Sequence, residues 1–249
     1  MTLETIALLL AAGVAGGLVN AIAGGATLIT FPAMMAAGLP PIIANASNAV
    51  AVTPGHLLAA IADRSQLPPR DAALLATVGA AVIGGAAGAV LLLVTPDRLF
   101  TLLVPALVAA ATAVFAFSSR IQRAVARKGR IDTARRPLVT AMAVYGGYFG
   151  AGLGVLLLAA LLVTGKDDLR RANALKNVLA TAVSAASLII FAAQGIVNWP
   201  ATLTMLAGAI AGGYAGGRLV AWLPQPAVRA AVVTFGCLMS VLYALRYWT

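Results

Sequence analysis

Charge is what this sequence has least of. Only 10% of its 249 residues are Asp, Glu, Lys or Arg, against roughly a quarter in an ordinary soluble domain. Residues 5–62, 72–96, 99–119, 137–165 and 177–217 contain none at all. A water-facing surface cannot be assembled from such stretches, which excludes a soluble enzyme. Acids are the scarcer sign: the seven are Glu4, Asp63, Asp71, Asp97, Asp132, Asp167 and Asp168, all at segment ends or in loops. No buried carboxylate is therefore expected as a sodium or proton site, and cation substrates or acidic proton relays are disfavoured. One cysteine, Cys237, and one histidine, His56, exclude a disulfide framework, a thiolate cluster and a three-residue metal set. No Walker or dinucleotide fingerprint is present, so neither metal nor cofactor is expected. An intramembrane hydrolase would have to pair Ser47 with His56, nine residues apart on one helix, or about 13 Å of rise.

What fills the chain instead is apolar: 61% hydrophobic residues and a mean hydropathy of +0.97. A spanning helix needs about 20 such residues, and the stretches supply about eight hydrophobic segments of an all-α integral membrane protein. The pattern predicts helices over roughly 5–22, 27–37, 42–62, 72–94, 99–119, 137–150, 153–164, 171–195, 201–221 and 228–246, with Pro and Gly at the joints. The opening MTLETIALLLAA lacks the basic stretch of a signal peptide and reads as part of the first membrane segment. Cys237 reads as lipid-facing or packed.

Basic residues number 17, and seven of them lie between Arg120 and Arg136. We read 120–136 as a cytoplasmic loop beside anionic headgroups. No aromatic residue interleaves its charges, so nucleic acid is not an expected partner. The loop separates a first repeat, 1–119, from a second, 137–249.

The two halves resemble each other. GGLVNAIAGGATLITFPAMMAAGLPPIIANASNAVAV begins at Gly16 and GGYFGAGLGVLLLAALLVTGKDDLRRANALKNVLAT at Gly146. In each, a Gly pair opens a Gly-interrupted apolar segment, and the tripeptide Ala-Asn-Ala follows at 44–46 and at 172–174. Such repeats build many secondary transporters, with substrate at the repeat interface. The first segment of each half is either a broken crossing helix or a re-entrant hairpin. Two crossings place ten basic residues inside and six outside; two hairpins place fourteen inside and two outside, with Lys176 uncounted within a helix. The positive-inside rule therefore favours inverted repeats with both termini outside.

Broken helices expose backbone N–H groups whose dipole attracts anions. Gly24, Gly25, Gly150 and Gly152 are the expected breaks and hinges, whereas Gly13, Gly84, Gly85, Gly88, Gly208, Gly212, Gly213, Gly216 and Gly217 read as close-packing residues. Asn20 precedes the first break and Thr27 follows it. Asn45, Ser47 and Asn48 in one half, with Asn173 and Asn177 in the other, are polar groups at helix starts, and a pseudo-twofold axis is expected to bring them to one central place. Amide NH₂ groups donate to anion oxygens. Lys176, within this polar set, either snorkels to the interface or faces the interior, where a charge is expensive and functional. His56 is the candidate for proton coupling.

These residues also carry a resemblance. Over nearly its full length, and most specifically in GGLVNAIAGGATLITFPAMMAAGLPPIIANASNAVAVTPG at 16–55 with its echo at 146–179, the chain resembles the TauE/SafE sulfite exporter family, also called the 4-toluenesulfonate uptake permease (TSUP) family. The resemblance implies a bacterial inner-membrane carrier of sulfite, thiosulfate, sulfoacetate or related anions. Where many members show three consecutive glycines, this chain has Gly24-Gly25-Ala26. The expected function is alternating-access transport of a small sulfur-containing anion in a lipid bilayer, not an enzyme, with a proton or sodium ion as coupling ion. Lys176 would compensate charge, Asn20, Asn45, Asn48, Asn173 and Asn177 would hydrogen-bond, and Thr27 and Ser47 would donate secondarily. A passive anion channel is the alternative, and an intramembrane enzyme a further one.

Overall fold

A computed structural model describes residues 1–22, 25–127, 135–164, 169–219 and 224–249, and every regular element among them is helical. The α-helices are α1 (Leu3–Ile22), α2 (Thr27–Ala36), α3 (Pro41–Ala62), α4 (Ala72–Val94), α5 (Asp97–Ala116), α6 (Ser118–Arg127), α7 (Arg135–Tyr148), α8 (Leu153–Thr164), α9 (Leu169–Ala193), α10 (Trp199–Leu219) and α11 (Gln225–Tyr247). Local chemistry sets several starts. Pro41 occupies the first position of α3, where its missing N–H costs nothing. Asp71 caps α4 by accepting from the Leu74 N–H at 2.8 Å.

Five of these helices, α1, α4, α5, α9 and α11, are long and apolar enough to cross a membrane. Their outward faces carry exposed Leu75, Ile83, Val94, Ile189 and Leu242, as lipid contact requires. Cys237 is exposed on α11. Apolar α2 and α8, 10 and 12 residues long, span only about half a bilayer.

The segment read as a loop at 120–136 begins differently. Its first part is α6, Ser118–Arg127, and α7 starts at Arg135; residues 128–134 lie outside the described ones. The charge density that suggested a loop is carried, at least over Ser118–Arg127, on a helix. SSRIQRAVAR holds no Gly or Pro, and its Ile and Val stand four apart on one face.

The α1–α2 unit doubles back. A straight pair would hold Gly16 and Thr30 about 20 Å apart, yet a methyl group on Gly16 would collide with the Thr30 side chain. In the other half, Gly146 of α7 lies against the Leu153 side chain of α8. Gly150 and Gly152, both at φ +79°, turn the chain between them in a conformation that side chains with a Cβ disfavour.

Small residues bring pairs of helices into backbone contact. A Cβ on Gly13, Gly17, Gly208 or Gly212 would strike a carbonyl across the α1–α10 interface, and one on Gly84, Gly88 or Gly147 would do so between α4 and α7. Contacting numbers rise together in each pair, so α1 runs parallel to α10 and α4 to α7. Gly147, expected near a break, is instead part of this packing. Between these pairs α3 and α9 run antiparallel: Ser47 near the start of α3 meets Asn198 beyond the end of α9, and Asp63 just past α3 meets Asn173 at the start of α9.

Exchanging the halves maps the main helix pairs onto one another. α1 on α10 becomes α7 on α4, α3 on α10 becomes α9 on α4, and α3 on α9 and α5 on α11 map to themselves. Phe31 of α2 and Phe149 after α7 meet edge to face, 5.3 Å between centroids, and join the halves in the core.

Candidate functional site

The polar side chains gather at the two ends of α3. Eighteen residues separate Asn45 from Asp63, or about 27 Å of helix. The helix starts expected to converge are therefore not brought together. Because α3 and α9 are antiparallel, their equivalent starts face opposite ways, and Asn173 lies at the end of α3 remote from Asn45.

At the Asp63 end, Lys176 projects from the second turn of α9, and its ammonium donates to Asn173 Oδ1 at 2.9 Å. The Asn173 amide nitrogen in turn lies 3.5 Å from Asp63 Oδ2. Among the described residues the lysine thus bonds a neutral amide, and that amide in turn reaches the Asp63 carboxylate. The stem of Lys176 runs against Gly154, close after the second break, with its Cδ 3.7 Å from where a Cβ would stand. Asn177 is buried beside it on α9, while Lys176 and Asn173 are half-buried. His56 is half-buried on α3, seven residues before Asp63. The Asn20 amide nitrogen sits against the backbone of Gly55, one residue before His56. Lys176, Asn173 and Asp63 therefore form one polar chain between α9 and the end of α3, and Asn20 of α1 meets α3 two turns earlier, at Gly55.

Gly24 lies outside the described residues. Gly25, at φ +149°, carries the Phe115 ring directly on its Cα. The Arg229 guanidinium stands 5.8 Å over that ring and donates to the hydroxyls of Ser118 and Ser119. Thr27 is half-buried in the first turn of α2.

At the other end of α3, Asn45 donates from Nδ2 to the Tyr148 carbonyl at 2.9 Å, tying α3 to the last turn of α7 beside the second break. Ser47 Oγ accepts the Asn198 N–H at 2.9 Å. Asn45, Ser47 and Asn48 are all buried. Ser47 and His56 lie on opposite halves of α3, and the serine hydroxyl is engaged with backbone, so these two do not meet as nucleophile and base. Among the described residues no cluster of three His, Cys, Asp or Glu side chains could hold a metal.

Asp63 and Asn198 were not expected at either site. Asp63 read as one more loop acid, and only the antiparallel pairing of α3 with α9 puts it beside Asn173. A signal was present in the positive-inside count, which favours inverted halves and therefore antiparallel equivalent helices.

Comparison with known proteins places this chain in a family. The profile described as Sulfite exporter TauE/SafE matches residues 9–243. A "Probable membrane transporter protein" of Haemophilus influenzae is 26% identical over 242 residues, covering 96% of this chain and 94% of that protein. The "Probable membrane transporter protein YfcA" of Escherichia coli K12 is 27% identical over 234 residues, 90% and 84% of the two chains. A Sinorhizobium "Probable membrane transporter protein ORF9" is 25% identical over 228 residues, 88% and 84%. No solved structure matches the chain.

Proposed function

The chain belongs to the TauE/SafE sulfite exporter family of multi-pass membrane transporters, and we propose that it carries a small sulfur-containing anion by alternating access. Sulfite, thiosulfate and sulfonates such as sulfoacetate are the substrates in view, and the setting is a bacterial inner membrane with 120–136 on the cytoplasmic side. The observation that carries the reading is Lys176: an ammonium in a membrane bundle whose hydrogen-bond acceptor is a neutral amide. Such a charge is costly unless it has work to do. It stands in the second turn of α9, at the positive end of the helix dipole.

An arriving sulfonate offers three oxygens to Lys176 and to the amides of Asn173, Asn177 and Asn20. Hydrogen bonds from a charged donor to a charged acceptor are the strong ones. In its absence the Asp63 carboxylate, reached through Asn173, partly balances the lysine. Substrate and Asp63 then compete for the same donors, which gives the site two arrangements. Two inverted repeats supply the machinery for exchanging them, a reading supported by main helix pairs that map onto one another when the halves are exchanged.

The reading is tested by thermal stability of detergent-purified protein with sulfite, thiosulfate, sulfoacetate, taurine, sulfate and acetate. A ligand at 100 times its dissociation constant stabilises the folded state by about 2.7 kcal/mol. Sulfur oxyanions or sulfonates are expected to raise Tm in wild type and not in Lys176→Ala. Equal responses in both proteins would remove Lys176 from the site.

A further inference from the structure

At the end of α3 remote from Lys176, two amide oxygens have no partner. Asn45 and Asn48 are 2% and 1% exposed, and Oδ1 of each is enclosed without a hydrogen bond. The Asn45 amide cannot be turned round. Its Nδ2 donates to the Tyr148 carbonyl at 2.9 Å, and a flipped amide would set one carbonyl against another. Oδ1 of Asn45 is therefore a fixed, buried acceptor. Asn48 lies about one turn further along the same face of α3. A third buried oxygen without a partner is Thr202 Oγ1 on α10, one turn from Asn198, whose N–H bonds Ser47 between the two asparagines.

Asn45 and Asn48 share a face of α3, and Thr202 stands one turn beyond the residue that meets Ser47 between them; buried acceptors so placed call for donors or for a cation. The field there favours a cation. Tyr148 is the last residue of α7, so the helix presents its negative dipole end to Asn45. Helix C-termini and unwound carbonyls beside a break are where transporters of this build hold coupling cations. The oxygens offered are neutral amides and a hydroxyl, a hard set without carboxylate, which suits a monovalent ion better than a divalent one.

We propose that Asn45 and Asn48, with Thr202, bind a sodium ion, and that this ion is the coupling partner of the anion held near Lys176. Among the described residues no buried carboxylate offers a charged cation site, and these neutral oxygens form a site of the other kind. This deepens the carrier reading and rests on it, since a coupling ion has meaning only where an anion is carried. Binding of the two ions at opposite ends of α3 lets one rigid helix report each site's occupancy to the other.

The test is the melting temperature of the purified protein without added substrate, in sodium chloride, potassium chloride or N-methyl-D-glucamine chloride at equal ionic strength. Sodium is expected to raise Tm by several degrees, saturably, over the organic cation. Asn48→Ala is expected to weaken the apparent sodium affinity at least tenfold, and Asn48→Asp, which keeps the shape and adds a negative oxygen, to hold or tighten it. Should Asn48→Ala fail to fold, wild type and Asn48→Asp still decide. Identical melting in sodium and N-methyl-D-glucamine would mean that the oxygens hold water only and would overturn the proposal. A wild-type sodium response in Asn48→Ala would place the ion elsewhere and overturn it equally. Sulfoacetate stabilisation, measured in sodium-free buffer with Lys176→Ala as control, separates the two readings. If it persists while the sodium response is missing, the cation site falls and the anion carrier stands; if both are missing, both fall.

Discussion

Lys176 and Asp63 set the electrostatics of the candidate anion site, and they make opposite predictions. Removing the ammonium in Lys176→Ala is expected to abolish anion-dependent stabilisation. Removing the competitor in Asp63→Asn keeps the hydrogen-bonding shape beside Asn173, 3.5 Å away in the native protein, and is expected to raise anion affinity several-fold, as read by isothermal titration. Weaker binding in Asp63→Asn would mean that the carboxylate positions Asn173 rather than competing for it. Lys176 was legible in the sequence, because a lysine five residues beyond Arg171 opens a charge-free run to Gly217. Asp63 was not, because its role depends on a partner 110 residues away. Pattern within a segment finds costly residues; it does not find which distant residue meets them.

At the scale of elements, the two parallel pairs α1–α10 and α4–α7 depend on residues without side chains. Gly88→Leu and Gly212→Leu each drive a side chain into a carbonyl of the partner helix, Val144 and Val14 respectively. Overpacking of this kind costs about 1–3 kcal/mol or more, so both variants are expected to melt well below wild type. Gly79, with open space around its Cα, should accept alanine with little change; a Gly79→Ala loss equal to that of Gly88→Leu would contradict the packing account. The glycines meant for packing could be told from those meant for breaks by their place within long apolar runs, except Gly147, which neighbours a break yet packs on Gly85. α6 escaped a reading based on charge because amphipathic basic helices and basic loops share a composition and differ only in periodicity.

For the whole molecule, the apolar content, the joints and the repeat made a helical membrane protein legible from the outset. The arrangement of the site was not legible, since a repeat alone does not say whether equivalent helix starts meet or face apart. Antiparallel packing of α3 against α9 answers that, with Ser47 at Asn198 and Asp63 at Asn173. Taken with the proposed carrier, the same inversion and the positive-inside count predict both termini outside the cytoplasm. A protease-sensitive tag at the C-terminus is expected to be cleaved from outside in spheroplasts, and protection there would contradict the inverted arrangement.

Counterflow tests the central claim of an anion carrier most directly. Proteoliposomes preloaded with unlabelled sulfoacetate, or with sulfite in a parallel set, are diluted into a trace of the labelled anion. An alternating-access carrier is expected to accumulate label transiently above its external concentration, and Lys176→Ala liposomes are expected not to. Label that only equilibrates would indicate a channel, and label that never enters for any sulfur anion, while the protein remains folded, would contradict the assignment of substrate.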